Sequence, residues 1–201
     1  MKLKKYSMSF TTGGIFHQES LQITALYLDL MDWSAVRNYV HTENILQTRT
    51  ISTAKKRYRE INTRLQQLSK KELEALAESS VHDQKYLLWL AICRRYPFIG
   101  DFAIEVIRER YITLKSDLNY EDYDFFFSKK AESHPELEKI KFSSQNKLRQ
   151  VLFKMLKEAD LLLDNNLINA AMLTPRLINL ISASNSNDLL FFPVFDSELI
   201  G

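Results

Sequence analysis

Eight consecutive residues, Tyr86 to Cys93 (Tyr-Leu-Leu-Trp-Leu-Ala-Ile-Cys), run without a charged or strongly polar break. Wound as a helix, such a run has no face fit for water and must be covered on every side. It falls far short of the ~20 apolar residues that a bilayer span needs, so its cover has to be protein. A central helix over about 84–96 follows, with Arg94 and Arg95 in the last turn suiting the negative end of the helix dipole. Pro97 is expected to end it.

What surrounds that helix is constrained by the turn residues. The chain has 201 residues but only 4 Gly and 4 Pro. A sandwich or barrel of this length needs many tight turns, which usually draw on both residue types. The expected fold class is therefore all-α: a bundle of about eight to ten helices with at most short terminal strands. The periodicity places helices at 19–30, 33–46, 52–68, a short one from Lys70 to Ala77, and one from Asp101 to Leu114. Others follow at Tyr120 to about Ala131, at Pro135, at 144–163, and from Pro175 to Ile181.

Several boundaries carry capping chemistry. Asp32 is placed to cap the second helix, Ser69 and Glu72 form a capping box, and Thr174-Pro175 reads as N-cap and N1. In the first helix Leu21, Ala25 and Leu28 are expected to face the core. Residues 1–14 read as an extended arm or short strand ending in a simple turn at Thr12-Gly13-Gly14. A short strand is also expected after Asn165-Asn166, a loop over the Ser-Asn tract 182–187, and an extended strand from Leu189 to Phe195.

Net charge is only +2, but its distribution is uneven. Residues 1–80 hold twelve Lys/Arg against eight Asp/Glu, and residues 81–201 hold fifteen against seventeen. This divides the chain into a basic helix-turn-helix-like subdomain (1–80) and a C-terminal helical subdomain (81–201). Between Arg49 and Arg64 stand six basic residues (Arg49, Lys55, Lys56, Arg57, Arg59, Arg64) and one acid, Glu60. In this helix the apolar stripe Ile51, Ala54, Tyr58, Ile61, Leu65, Leu68 alternates steps of three and four and must face inward. A 100° step per residue then turns Ser52, Lys56, Arg59 and Thr63 outward, flanked by Lys55 and Arg57.

Cations on such a face neutralise phosphates and release counterions. Arg49, Thr50, Ser52 and Thr53 gather where the helix begins and its unpaired N–H groups favour an anion. With helix 33–46 and the turn 47–50 before it, the segment has the outline of a helix-turn-helix, although its turn lacks glycine. The competing explanation is an ordinary solvated basic face held by ion pairs one turn apart. Lys147 and Arg149, with Lys154 and Lys157, form a sparser second basic patch that could line the other side of a groove.

Signs of catalysis are missing. His17, His41, His82 and His134 are scattered, without an H-E-x-x-H spacing. Neither a P-loop nor a G-x-S-x-G is present. Glu121, Asp122 and Asp124 stand at a helix start, where acids suit the dipole. The single Cys93 excludes an internal disulfide and reads as a buried, inert thiol in a reducing compartment. The basic Met1 to Lys5 is not followed by the apolar stretch of a signal peptide, so the cytoplasm is the expected location. No enzyme, cofactor, metal, membrane or small-molecule substrate is implied.

Several stretches in order resemble a known family. They are Thr12-Gly13-Gly14, Asp32-Trp33-Ser34-Ala35-Val36-Arg37, Glu43-Asn44 and Arg49-Thr50-Ile51-Ser52-Thr53-Ala54, then Leu90 to Pro97, Phe102 to Arg110 and Lys147 to Leu156. Together they are similar to BrxA, the small accessory proteins of bacterial BREX phage-defence systems. The resemblance covers about residues 10–195. It implies an all-helical fold like that of NusB-type RNA-antitermination proteins, and binding to double-stranded DNA. It also implies a place beside a BREX methyltransferase, an ATPase and a phosphatase-like protein. It supplies no DNA-touching residues; those come from the helix geometry. A protein-interaction scaffold and an RNA-binding protein stay open as alternatives.

Overall fold

In a computed structural model, described here for residues 5–11 and 13–199, the chain is all-α. Met1 to Lys4, Thr12, Ile200 and Gly201 lie outside the described residues, so the expectations for the extreme N-terminus and for Thr12 do too. In order, the helices are α1 (His17–Leu30), α2 (Trp33–Thr42), α3 (Ile51–Leu65), α4 (Lys70–Glu78) and α5 (Val81–Arg95). Next, α6 (Pro97–Phe102) runs through a π-helical stretch (Ala103–Arg108) into α7 (Glu109–Ile112). Then come α8 (Tyr120–Ala131), α9 (Pro135–Glu138), α10 (Phe142–Glu158) and α11 (Pro175–Asn185). A 3-10 turn (Ser186–Phe191) and α12 (Asp196–Leu199) complete the chain.

The apolar run dictates the centre. Every residue from Tyr86 to Cys93 is buried, and α5 packs against α1, α3, α4 and α6. Burying a side chain such as Leu or Phe contributes roughly 1.5–3 kcal/mol, so this one helix carries a large share of the stability. The inner side of α10 (Leu148, Val151, Leu152, Met155, Leu156) and Ala159 and Leu162 beyond it belong to the same cluster of buried residues, as do Leu177 and Ile181 of α11. Cys93 is buried here, and burial pushes its thiol pKa well up.

The N-terminal arm is extended and pinned along its length. Tyr6 stacks on His134 with ring centroids 4.0 Å apart, and its N–H donates to Glu136 (2.8 Å). Its hydroxyl donates to Asp101. Phe10 is fully buried against Tyr96 and Phe98. At the end of the arm the Ile15 N–H donates to the Glu158 carboxylate (2.7 Å). A Cβ on Gly14 would lie 1.8 Å from that carboxylate, so this approach needs glycine.

Local capping chemistry places most helix starts as expected. Asp32 accepts from the Ser34 N–H (2.8 Å), Ser69 and Glu72 form the capping box, and Thr174 accepts from the Leu177 N–H with Pro175 at N1. Four expectations are corrected. Asp101 does not start a helix, because Pro97 opens α6 four residues earlier, its missing N–H being no loss at N1. The buried side of α1 is Ser20, Ile23 and Thr24, with Ala25 exposed and Leu21 and Leu28 half-buried.

The third correction concerns the long helices, which stop early: α2 at Thr42 and α10 at Glu158, each followed within two residues by a left-handed residue, Asn44 or Asp160. Lastly, residues 182–191 are helical rather than loop and strand. Asn185 caps the 3-10 turn through the Asn187 N–H, and the Phe191 carbonyl accepts from the Trp89 indole (3.0 Å). Beyond it Phe192 and Val194 are buried in coil, so the expected strand from Leu189 to Phe195 is absent. Among the described residues β pairing is limited to two isolated bridges, Asp117 with Leu167 and Leu162 with Ile168.

Candidate nucleic-acid interface

The basic helix packs as its stripe requires. Ala54, Tyr58, Ile61, Leu65 and the following Leu68 are buried. Ile51 is the exception: it is 73% exposed, because the first residue of α3 lies beyond the end of the core. Thr50 is the N-cap and accepts from the Thr53 N–H (3.2 Å), while its hydroxyl donates to the Thr53 hydroxyl (2.9 Å). Part of the hydroxyl cluster is thus engaged in starting the helix, and the Thr63 hydroxyl bonds back to the Glu60 carbonyl (3.1 Å). Ser52 and Thr53 are exposed.

The six cations divide into two groups. Arg64 is buried; it pairs with Glu60 (2.7 Å) and donates to the Gly14 carbonyl (2.7 Å). Arg57 is half-buried, pairs with Glu19 (3.4 Å) and lies over the Phe16 ring. Arg49, Lys55, Lys56 and Arg59 are exposed. Among the described residues, no carboxylate stands within the 4.0 Å of an ion pair from any of these four.

A groove of about 600 Å³ opens between α2 and α3. Lys55, Lys56 and Arg59 line it from α3, and Arg37 faces them from α2. Tyr58, His41 and Asn62 also line it, and Ile51 and Ser52 stand where α3 begins. None of the lining residues is acidic. The Tyr58 hydroxyl donates to the Trp33 carbonyl (3.2 Å), tying α3 to the start of α2. Burial pushes the Tyr58 pKa up to about 12, against the opposing pull of Arg37. The His41 pKa is lowered, first by burial and then by the charges of Arg37 and Lys55.

Arg37, His41 and Asn62 are not marked out by the sequence pattern of α3. Arg37 and His41 each follow a buried valine, Val36 and Val40, and so flank the inward side of α2 one turn apart. That offset is a usable signal once the stripe of α2 is known. The connection between α2 and α3 spans residues 43–50, longer than the expected turn at 47–50 and than the three or four residues of a helix-turn-helix.

The second basic patch does not line this groove. Arg149 pairs with Asp124 and lies 4.5 Å over the Tyr120 ring, while Lys154 and Lys157 face Glu158 and Asp164 at 3.6 Å each. Lys147 is exposed. Among the described residues no group of three or more His, Cys, Asp or Glu could hold a metal, and no helix is long and apolar enough to cross a membrane.

Fold and groove together define a small all-helical protein with an acid-free, cation-lined trough between two N-terminal helices. Residues 4–185 match the BrxA family model, and the chain belongs to that family. It is 30% identical over 147 residues to a "BREX protein BrxA" of Escherichia coli O9:H4 (strain HS), covering 73% of this chain and 69% of that one. It is 22% identical over 161 residues to a second "BREX protein BrxA", from Paramagnetospirillum magneticum (strain AMB-1), covering 80% and 81%. A crystal structure of an uncharacterized protein from Magnetospirillum magneticum shares the fold, with a TM-score of 0.81 at 18% identity over 94% of this chain and 98% of that one.

Proposed function

We propose that this protein binds double-stranded DNA without catalysis, gripping phosphates in the α2–α3 groove, as a cytoplasmic accessory of a BREX anti-phage system. The observation that carries the reading is the set Arg37, Lys55, Lys56 and Arg59, four cations around one groove that no acid lines. A polyanion gains from each of them through counterion release. An array of phosphate contacts positions a duplex without reading its bases, so sequence selectivity should be weak. The interaction is assigned to the N-terminal unit, residues 1–80, with Arg49, Thr50, Ser52, Thr53 and Thr63 as flanking groups and Arg57 close by. Lys147 and Arg149 are left with a secondary role at most. The eight-residue connection favours a grooved helix pair over a recognition helix laid in the major groove.

The test is a gel shift with duplex DNA on the double variant Lys56→Glu, Arg59→Glu. Both side chains are exposed, so the thermal melt should stay close to that of the parent while the shift disappears. An undiminished shift would place the interface elsewhere.

A second reading has one observation behind it. Ile51, 73% exposed, is an apolar group set in a cationic groove, an arrangement that also suits an acidic protein partner. The methyltransferase, the ATPase and the phosphatase-like protein of the BREX system are the candidates. Capture of one of them that survives both the charge reversal and high salt would favour a scaffold. Competition between duplex DNA and duplex RNA in the same titration separates the two nucleic acids.

A further inference from the structure

We infer that His41 is a binding residue of the groove and takes up a proton when a phosphate chain occupies it, so that nucleic-acid affinity is linked to pH. This rests on the groove being the nucleic-acid site. His41 lines the groove with Arg37 one turn before it on α2 and Lys55 across from it on α3. Its ring meets the Tyr58 ring edge-on at 5.3 Å. Its Nδ1 is buried and, among the described residues, has no hydrogen-bond partner. Leaving a buried N–H unpartnered costs free energy, so this atom favours the neutral ring in the free protein and weighs against the imidazolium in the complex, a cost the phosphate charge has to exceed. Nε2 is the ring nitrogen left to meet a phosphate oxygen.

The groups that face His41 fix the sign. From its own helix there is Arg37; from α3 there are Lys55, Lys56, Arg59 and Tyr58; no charged residue of α1 lines the groove. No carboxylate is among them, so in the free protein nothing favours the charged imidazole. A bound phosphate chain reverses this. It offsets the fields of Arg37 and Lys55 and adds negative charge beside the ring, which favours the imidazolium. Neither the arginines nor the lysines titrate between about pH 5 and 8, and Tyr58 lies far above that window. Of the groove-lining groups, His41 alone changes charge there. Because the ring has the higher pKa in the complex, affinity rises as pH falls, by at most about tenfold per pH unit for one proton.

The experiment pairs two measurements on the intact protein with a short duplex DNA of mixed sequence. Duplex affinity is titrated from about pH 7.5 to 5.5 for the parent and for His41→Gln, which keeps a neutral donor but cannot be protonated. The His41 ring is followed by NMR through the same range, free and duplex-bound. The expected result is an upward move of the His41 midpoint on binding. The parent should gain several-fold more affinity over this range than His41→Gln, whose remaining slope reports the other histidines. A midpoint that stays or falls, or an equal slope in His41→Gln, while the duplex still binds, overturns the inference and leaves the DNA reading standing. Absence of duplex binding by the parent at every pH removes both.

Discussion

Glu60 and Arg64, one turn apart on α3, close a 2.7 Å ion pair on the core side of the helix. Glu60 is the single acid of the basic segment and also accepts from the Tyr96 hydroxyl (2.5 Å). The acid is thereby drawn inward and matched by a buried cation, and the outward side of α3 keeps its charge undiluted. Removing one partner of a buried pair leaves the other uncompensated, at a cost of about 3–5 kcal/mol. Arg64→Ala should lower the denaturant midpoint accordingly. Glu60→Gln, which keeps a hydrogen-bonding group beside Arg64 and Tyr96, should lower it less.

Salt dependence separates the cations of the groove from those already paired. Removing one cation that touches a phosphate should reduce the slope of log affinity against log salt by about 0.9. Arg37→Ala, Lys55→Ala, Lys56→Ala and Arg59→Ala are each expected to do so, alike for different duplex sequences. Arg149→Ala should leave the slope unchanged and instead loosen α8 from α10, because its guanidinium is held by Asp124 and Tyr120. A filter-binding or fluorescence titration across a salt series reads all five.

Arg94 ties three elements together. It pairs bidentately with Glu72 at the start of α4 (2.8 Å to each oxygen) and with Asp188 in the 3-10 turn (2.7 Å). Burial alone would push the Glu72 pKa up. The hydrogen bonds from Arg94 and the Ser69 N–H outweigh it, and the net shift is downward. A carboxylate whose folded-state pKa is depressed stabilises the fold fully above its unfolded value and ceases to as pH falls through the folded one. Stability measured by urea should therefore be flat in this respect from neutral pH to about pH 5 and decline below about 4.5. In Arg94→Met the buried carboxylate has no cation beside it, its pKa rises, and acidification should stabilise the variant relative to its own neutral-pH value.

Gly14 and Glu158 form a joint between the arm and α10. Gly14→Ala would drive the Glu158 carboxylate off the Ile15 N–H. That side chain is flexible at its end, so the cost should be close to one charge-assisted hydrogen bond, about 1.5–3 kcal/mol. Glu158→Ala should cost a similar amount, and the double variant little more than either single one. A double-mutant cycle by chemical denaturation measures the shortfall.

Much of the fold is legible in the sequence because its signals are local. The run Tyr86–Cys93 has no polar side to offer, and Asp32, Ser69 and Thr174 announce helix starts through side chains acting on their own turn. The buried stripe from Ala54 to Leu68 and the exposed Lys56 and Arg59 follow from helical spacing alone. What is not legible depends on neighbours distant in sequence. The inward side of α1 is set by small polar residues, Ser20 and Thr24, which periodicity of apolar residues passes over. Residues 189–194 are apolar enough for a strand, yet hydrogen bonds from Trp89 to the Phe191 carbonyl and from Arg94 to Asp188 hold this stretch in a 3-10 turn and the coil beyond it. Arg37 and His41 join the site only because α2 lies beside α3.

The sequestered thiol of Cys93 has a practical use. Burial and a raised pKa leave it unreactive in the native protein, so maleimide chemistry meets a blank background. A fluorophore attached through Ser52→Cys, at the mouth of the trough, would report occupancy in real time without any change to the interior.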